Sequence, residues 1–183
     1  MPAKTLVTCE EFERLAADMG PCELIDGEVI TLSPGGLRHS GTSNRIAFHL
    51  TGFVSQHKLG HVFGNEVGIH ISQDPPRSRG ADVVFISYKR LPPGPDPVGF
   101  LTVAPELVVE VLGFKDTWEH MNEKVADYHR MGVDMVWVAD PFTRTVRKFP
   151  RGGKPEIVHE GGTLDGGAIL PGFSVPVVRF FED

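Results

Sequence analysis

Two carboxylates stand where a carboxylate is costly. Glu110 interrupts the apolar run Leu107-Val108-Val109-Glu110-Val111-Leu112, and Asp82 heads the run Val83-Val84-Phe85-Ile86. Burying an unpaired charge costs several kcal/mol even after relaxation. A proton, a cationic side chain or a metal ion must compensate. If the two strands are neighbours, one cation can serve both acids. Mg²⁺ suits such a pair, with Mn²⁺ as its substitute, because it takes hard oxygen ligands and keeps several waters. Those waters and a substrate phosphate complete the coordination, so the chemistry expected is phosphodiester hydrolysis. Taken singly, Asp82 reads more readily as a turn or cap residue, and Glu110 equally well as the partner of a lysine. The pair together points to a site.

Lys124 is the natural third member. It falls in Met121-Asn122-Glu123-Lys124-Val125-Ala126-Asp127-Tyr128, on the helix expected after the Glu110 strand. Lys124 and Tyr128 are four apart and share a face. Lys124 lies at the margin of the stripe formed by Met121, Val125, Tyr128 and Met131, where a long stem can follow apolar surface and deliver its charge at the edge. A solvated lysine is the plain alternative. The eight histidines show no zinc-type spacing, and no nucleophile elbow, Walker loop or dinucleotide fingerprint is present.

The elements that must position these residues follow from pattern. Thr8-Cys9-Glu10-Glu11 reads as a capping box, with Phe12, Leu15, Ala16 and Met19 at helical spacing and Gly20-Pro21 as the stop. Asp26-Gly27 turns a hairpin between 23–25 and 28–32. Ile46, Leu50, Phe53 and Val54 make one face of a helix over about 40–58, closed by Gly60. Short strands are expected at 61–63, 67–71 and 80–86, and Pro92, Pro93, Pro95 and Pro97 mark a loop. The run 107–112 has the pattern of a strand buried on both faces. A helix over 117–131 ends at Gly132, a buried strand follows at 135–139, and short strands and turns complete the chain. The expectation is one α/β domain over 1–183, with a mixed β-sheet flanked by helices.

Composition bounds the partners. The 183 residues are 40% hydrophobic and 23% charged, ordinary for a globular protein, and no apolar run approaches the roughly 20 residues of a membrane-spanning helix. The N-terminal residues lack a signal-peptide stretch, and Cys9 and Cys22 read as free thiols, so a cytoplasmic protein without membrane attachment is expected. The net charge of −6 counts against a broad non-specific grip on DNA, but leaves room for a local basic cleft.

The combination resembles the PD-(D/E)xK nuclease superfamily, and within it a bacterial family of restriction-endonuclease-like proteins. The matching stretches are Glu23-Leu24-Ile25-Asp26-Gly27-Glu28, Ala81-Asp82-Val83, Pro105 through Leu112, Lys124 with Tyr128 and Gly132-Val133, Trp137 through Pro141, and Leu170-Pro171-Gly172-Phe173. The resemblance implies an αβββαβ core with Asp82 and Glu110 as metal ligands. The superfamily places its lysine two residues after the acid, where this chain has Leu112, so Lys124 on the following helix is the implied replacement. Ala81 stands in place of the motif proline, and Gly113-Phe114 in place of a usual Ser-Pro. Glu23 matches the family's early glutamate, and either completes the site or is a charge at a strand end. His39, after a Gly-Gly loop, could contact a phosphate, though a bystander position is preferred.

The reading is a Mg²⁺-dependent nuclease acting on nucleic acid, most naturally DNA. Asp82, Glu110 and the backbone carbonyl of Val111 hold the metal in this reading, Lys124 orients the attacking water or stabilises developing charge, and Glu23, His39 and Tyr128 lie toward the substrate. A homodimer is expected from base rates of symmetry alone. A catalytically silent interaction module with the same fold is the rival, and hydrolysis of a small phosphate ester is a third reading.

Overall fold

A computed structural model describes residues 6–182. The chain runs α1 (Cys9–Ala16), β1 (Cys22–Ile25), β2 (Glu28–Thr31), α2 (Leu37–His57), β3 (Gly60–Gln73), β4 (Pro76–Ser87), β5 (Leu107–Val111), α3 (Trp118–Met131) and β6 (Met135–Asp140). It continues through β7 (Thr145–Pro150), β8 (Glu156–His159), β9 (Thr163–Gly166), β10 (Leu170–Pro176) and a 3₁₀ turn at Val177–Phe180. The segment from α2 to β6 is the αβββαβ core.

Local chemistry sets the boundaries. Thr8 and Glu11 satisfy each other's backbone N–H groups at 3.2 and 2.9 Å, which starts α1. The helix ends at Ala16, short of the expected Met19. Asp18 and Met19 instead donate to Leu15 and Ala16, three residues back, tightening the last turn. Asp26 and Gly27 have φ of 51° and 79°, which turns β1 into β2. The left-handed residue closing α2 is Lys58, φ 53°, and not the expected Gly60, which opens β3. Thr117 caps α3 and Gly132, φ 112°, closes it. The strands expected at 61–63 and 67–71 are one strand, β3. Its register slips between Gly64 and Val67, where Asn65 and Glu66 take φ of 70° and 61°. We expect Thr8→Ala to cost about 1 kcal/mol by removing the cap of α1. Thermal unfolding should show this as a drop of about 2–4 °C.

One sheet of eight strands, ordered β2-β1-β4-β5-β6-β7-β8 with β3 also on β4, forms the centre; β9 and β10 make a separate pair. Among the strand pairs of the described residues, only β5 and β6 run parallel, joined by α3. The α2 side holds Ile46, Leu50 and Val54 against Val83, Phe85, Val109 and Trp137. The α3 side holds Met121, Val125 and Tyr128 against Val84, Val108, Val136 and Val138. No helix among the described residues is long and apolar enough to cross a membrane.

The pairing of β4 creates the site. β3 follows β4 along one edge, from Gly60↔Ser87 to Gln73↔Pro76. On the other edge β1 pairs at Ser78 and β5 pairs from Val83 to Phe85. Residues 79–82 therefore face a gap between β1 and β5.

Candidate active site

Strand alternation decides which helix Glu110 meets. Leu107, Val109 and Val111 point to the α2 side, and Val108 and Leu112 to the α3 side. Glu110 shares the latter face, and α3 delivers Lys124 and Tyr128 to it. Lys124 Nζ lies 2.8 Å from Glu110 Oε2, 3.2 Å from Glu23 Oε1 and 3.1 Å from the Gly80 carbonyl. The Tyr128 hydroxyl donates to Glu110 Oε1. Gly80 fronts the gap in the sheet, so its N–H goes to Glu23 at 3.4 Å and its carbonyl to Lys124. Leu112, at the usual position of the motif lysine, is buried in the α3-side cluster; the ammonium arrives from the helix instead.

Asp82 sits one residue beyond the Val83↔Val109 pair, beside Glu110. Its Oδ2 accepts the Val111 N–H at 2.7 Å and lies 3.2 Å from His39 Nε2, on the first turn of α2. A cavity of about 500 Å³ opens here, with His39, Glu66, Asp82, Glu110, Val111 and Lys124 on its wall.

The charges are unbalanced toward acid. Burial lifts the Glu110 carboxyl to about 7, and Asp82 adds to the rise although Lys124 opposes it. Burial and Asp82 also raise Glu66. Glu23 is pushed up by burial but held below its ordinary range by Lys124 and Arg79. The hydrogen bond to Asp82 raises His39, favouring its cationic form. Lys124 is held protonated, burial notwithstanding, by Glu110 and Glu23.

The structure brings Asp82, Glu110, Lys124, His39 and the Val111 backbone to one wall. It differs for Glu23 and Tyr128, expected near the substrate: they are 1% and 0% exposed and stand behind the wall, their polar atoms spent on Arg79, Lys124 and Glu110. Behind them Arg79 bridges Glu23 at 2.7 Å and Asp127 at 2.8 Å, and Arg77 joins Asp127 to Asp26. Sequence reasoning missed Glu66, Arg79 and Asp127. Arg79 and Asp127 carried a readable signal, since Arg79 closely precedes Asp82 and Asp127 follows Lys124 by one helical turn. Glu66 carried none, because a backbone slip sets its direction. We expect Tyr128→Phe to cost about 1–2 kcal/mol, because it leaves Glu110 Oε1 buried without its donor; thermal unfolding should register the loss.

The donor set fits a hard divalent ion. Asp82 and Glu110 offer carboxylate oxygens, and the raised Glu110 and Glu66 are acids crowded enough for a cation to relieve. Among the described residues no three His, Cys, Asp or Glu side chains gather into a cage.

A mixed sheet between α2 and α3, with the αβββαβ order, is the restriction-endonuclease-like fold. A solved structure from Anabaena variabilis, described as "a putative nuclease belonging to DUF820", superposes with a TM-score of 0.79 over 96% of this chain and 97% of that one, at 17% identity. At that identity the likeness shows the fold. Residues 9–178 match the family Uma2, described as "Putative restriction endonuclease", and the chain belongs to that family. No curated protein matches it.

Proposed function

We propose that this chain is a divalent-metal-dependent nuclease that hydrolyses phosphodiester bonds, with DNA as its polymer and Mg²⁺, or Mn²⁺ in its place, as its ion. The observation that carries the reading is the meeting of Asp82, Glu110 and Lys124 on one pocket wall. Family membership supports it, and restriction-endonuclease-like nucleases generally use divalent metals.

Asp82, Glu110 and the Val111 carbonyl would hold the ion. When bound, the ion supplies Lewis acidity at the scissile phosphate and a water of lowered pKa. Lys124 has its three nearest acceptors in Glu110, Glu23 and Gly80, so it acts as a fixed cation and not as a proton donor. It holds the Glu110 carboxylate in place and lends positive charge to the wall that faces the developing phosphorane. His39, anchored on Asp82, presents its ring to the same cavity and can donate to a phosphate oxygen. Glu23 and Tyr128 orient Lys124 and Glu110 from behind.

The satisfied state of Glu110, with both oxygens bonded inside the protein, favours the rival reading of a silent module. Calorimetric titration of the chain with Mg²⁺ or Mn²⁺ separates the two. We expect saturable binding at one site, weakened in Asp82→Asn by more than the roughly 10–100-fold that loss of a residue behind a ligand costs. Cleavage of circular single-stranded DNA should be lost in the same variant. Absence of any metal uptake by the wild type would leave the module.

A further inference from the structure

We propose that the nucleic acid reaches the acid pocket as a single strand, led across a surface built from Phe114, Phe142 and the arginines Arg38, Arg45 and Arg144. This inference rests on the nuclease reading and names the form of its substrate.

Two large aromatic side chains face solvent beside the pocket: Phe114 is 87% exposed and Phe142 46%. Their rings are 6.0 Å apart. Phe114 belongs to the wall of the acid-lined cavity. Phe142 belongs to the wall of a second cavity, of about 390 Å³, which also has Arg38, Arg45 and Arg144 on it, Arg144 being paired with Glu160 at 2.5 Å. The ring pair thus lies between the acids and the arginines.

Fixed turns hold both rings outward. Asp116 accepts the Gly113 N–H at 2.7 Å, and Asp140 accepts the N–H groups of Phe142 and Thr143 at 2.8 and 3.2 Å. The two loops leave the carboxyl ends of β5 and β6, the parallel pair in the sheet, where ligands of α/β sheets commonly lie. A phenylalanine left in water forgoes the free energy that burial of its apolar surface would release. A partner that covers the rings would recover that free energy.

The chemistry of the surface selects the partner. Phosphates suit the arginines, and a planar base suits the rings; a nucleotide chain offers both at each step. In a duplex the base faces are already stacked on one another and cannot reach Phe114 or Phe142. A duplex held by phosphates alone needs a broad basic surface, which a chain of net charge −6 does not provide. A positive groove interleaved with aromatic rings is the arrangement that binds single strands with little sequence preference.

The test is fluorescence anisotropy in EDTA at low salt, with a short labelled DNA single strand of mixed sequence and a hairpin duplex of the same sequence. Wild-type protein should bind the single strand more tightly. Phe114→Ala and Phe142→Ala should each weaken single-strand binding about tenfold and leave the hairpin unaffected. Arg38→Ala should lower the slope of log affinity against log salt by about 0.7. All three side chains are exposed or half-exposed, and unfolding curves check that the variants fold. Equal binding of the two probes, or variants that bind the single strand as wild type does, would overturn the proposal. Hydrolysis of bis(p-nitrophenyl) phosphate by the wild type with Mn²⁺ reads the metal site alone, because that diester is too small to span the surface. Hydrolysis without single-strand preference sinks the surface and spares the nuclease. Single-strand preference without hydrolysis sinks the nuclease and spares the surface.

Discussion

Lys124→Ala is expected to lose metal-dependent cleavage by about 10²–10³-fold, the usual cost of removing one preorganised group that stabilises transition-state charge. It should also lose stability. Lys124 is buried between Glu110 and Glu23, at 2.8 and 3.2 Å, and breaking a buried pair by deleting one partner costs about 3–5 kcal/mol. Two features place the loss at the lower end of that range. Glu23 keeps Arg79 as a cation, and Glu110, lifted to about 7, takes up a proton near neutrality when its partner is gone. The melting temperature should fall by about 6–12 °C. Metal binding should persist, since the acids lose a competing cation. Lys124→Met keeps the stem and tests whether lost packing explains the result; it should match alanine in activity and exceed it in stability. Arginine should rescue poorly, because Glu110, Glu23 and the Gly80 carbonyl surround a point ammonium and not a planar fork. Wild-type cleavage by Lys124→Ala would remove the residue from the mechanism.

How much of this was legible in the sequence depended on whether local pattern or pairing decided the matter. The capping box at Thr8, the Asp26-Gly27 turn and the β5 and β6 runs are local, and each appears where pattern put it. The meeting of Glu110 with Lys124 was readable because strand alternation and helical periodicity together leave one place for the ammonium. The gap between β1 and β5 on β4 was not readable, because it comes from two strands far apart in sequence sharing one edge. That gap buries Glu23 and Tyr128, which pattern had put toward the substrate. Glu66 was invisible for a related reason. The register slip at Gly64–Val67 turns it toward Asp82, and no residue type announces such a slip. Lys58 closing α2 in a left-handed conformation, with Gly60 two residues on, shows the same limit at a helix end.

The strongest effect of pH should come from Glu110. Its carboxyl titrates at about 7 in the folded chain, against an ordinary value of 4.5, because burial opposes its charge. A raised folded value means that the contribution of this group to stability is fully present below about pH 4.5. It is lost as pH rises to about 7, by an amount near 3 kcal/mol. Glu110→Gln removes the titration. Its carbonyl can keep the Lys124 hydrogen bond, and its amide can donate to the Tyr128 hydroxyl, which turns its own proton to the Gly80 carbonyl 3.3 Å away. In EDTA at pH 5 the two proteins should therefore unfold at similar temperatures. By pH 8 the variant should be the more stable by up to about 3 kcal/mol, or about 6–12 °C. Its cleavage should be abolished at both pH values. Added Mg²⁺ should raise the melting temperature of the wild type, by mass action on the folded state, and leave that of the variant nearly unmoved. A variant several degrees less stable than wild type at pH 8 would show Glu110 to be a structural anion for Lys124. Its carboxylate would then stabilise the fold in the absence of metal, and the argument for a cation-seeking acid would fail.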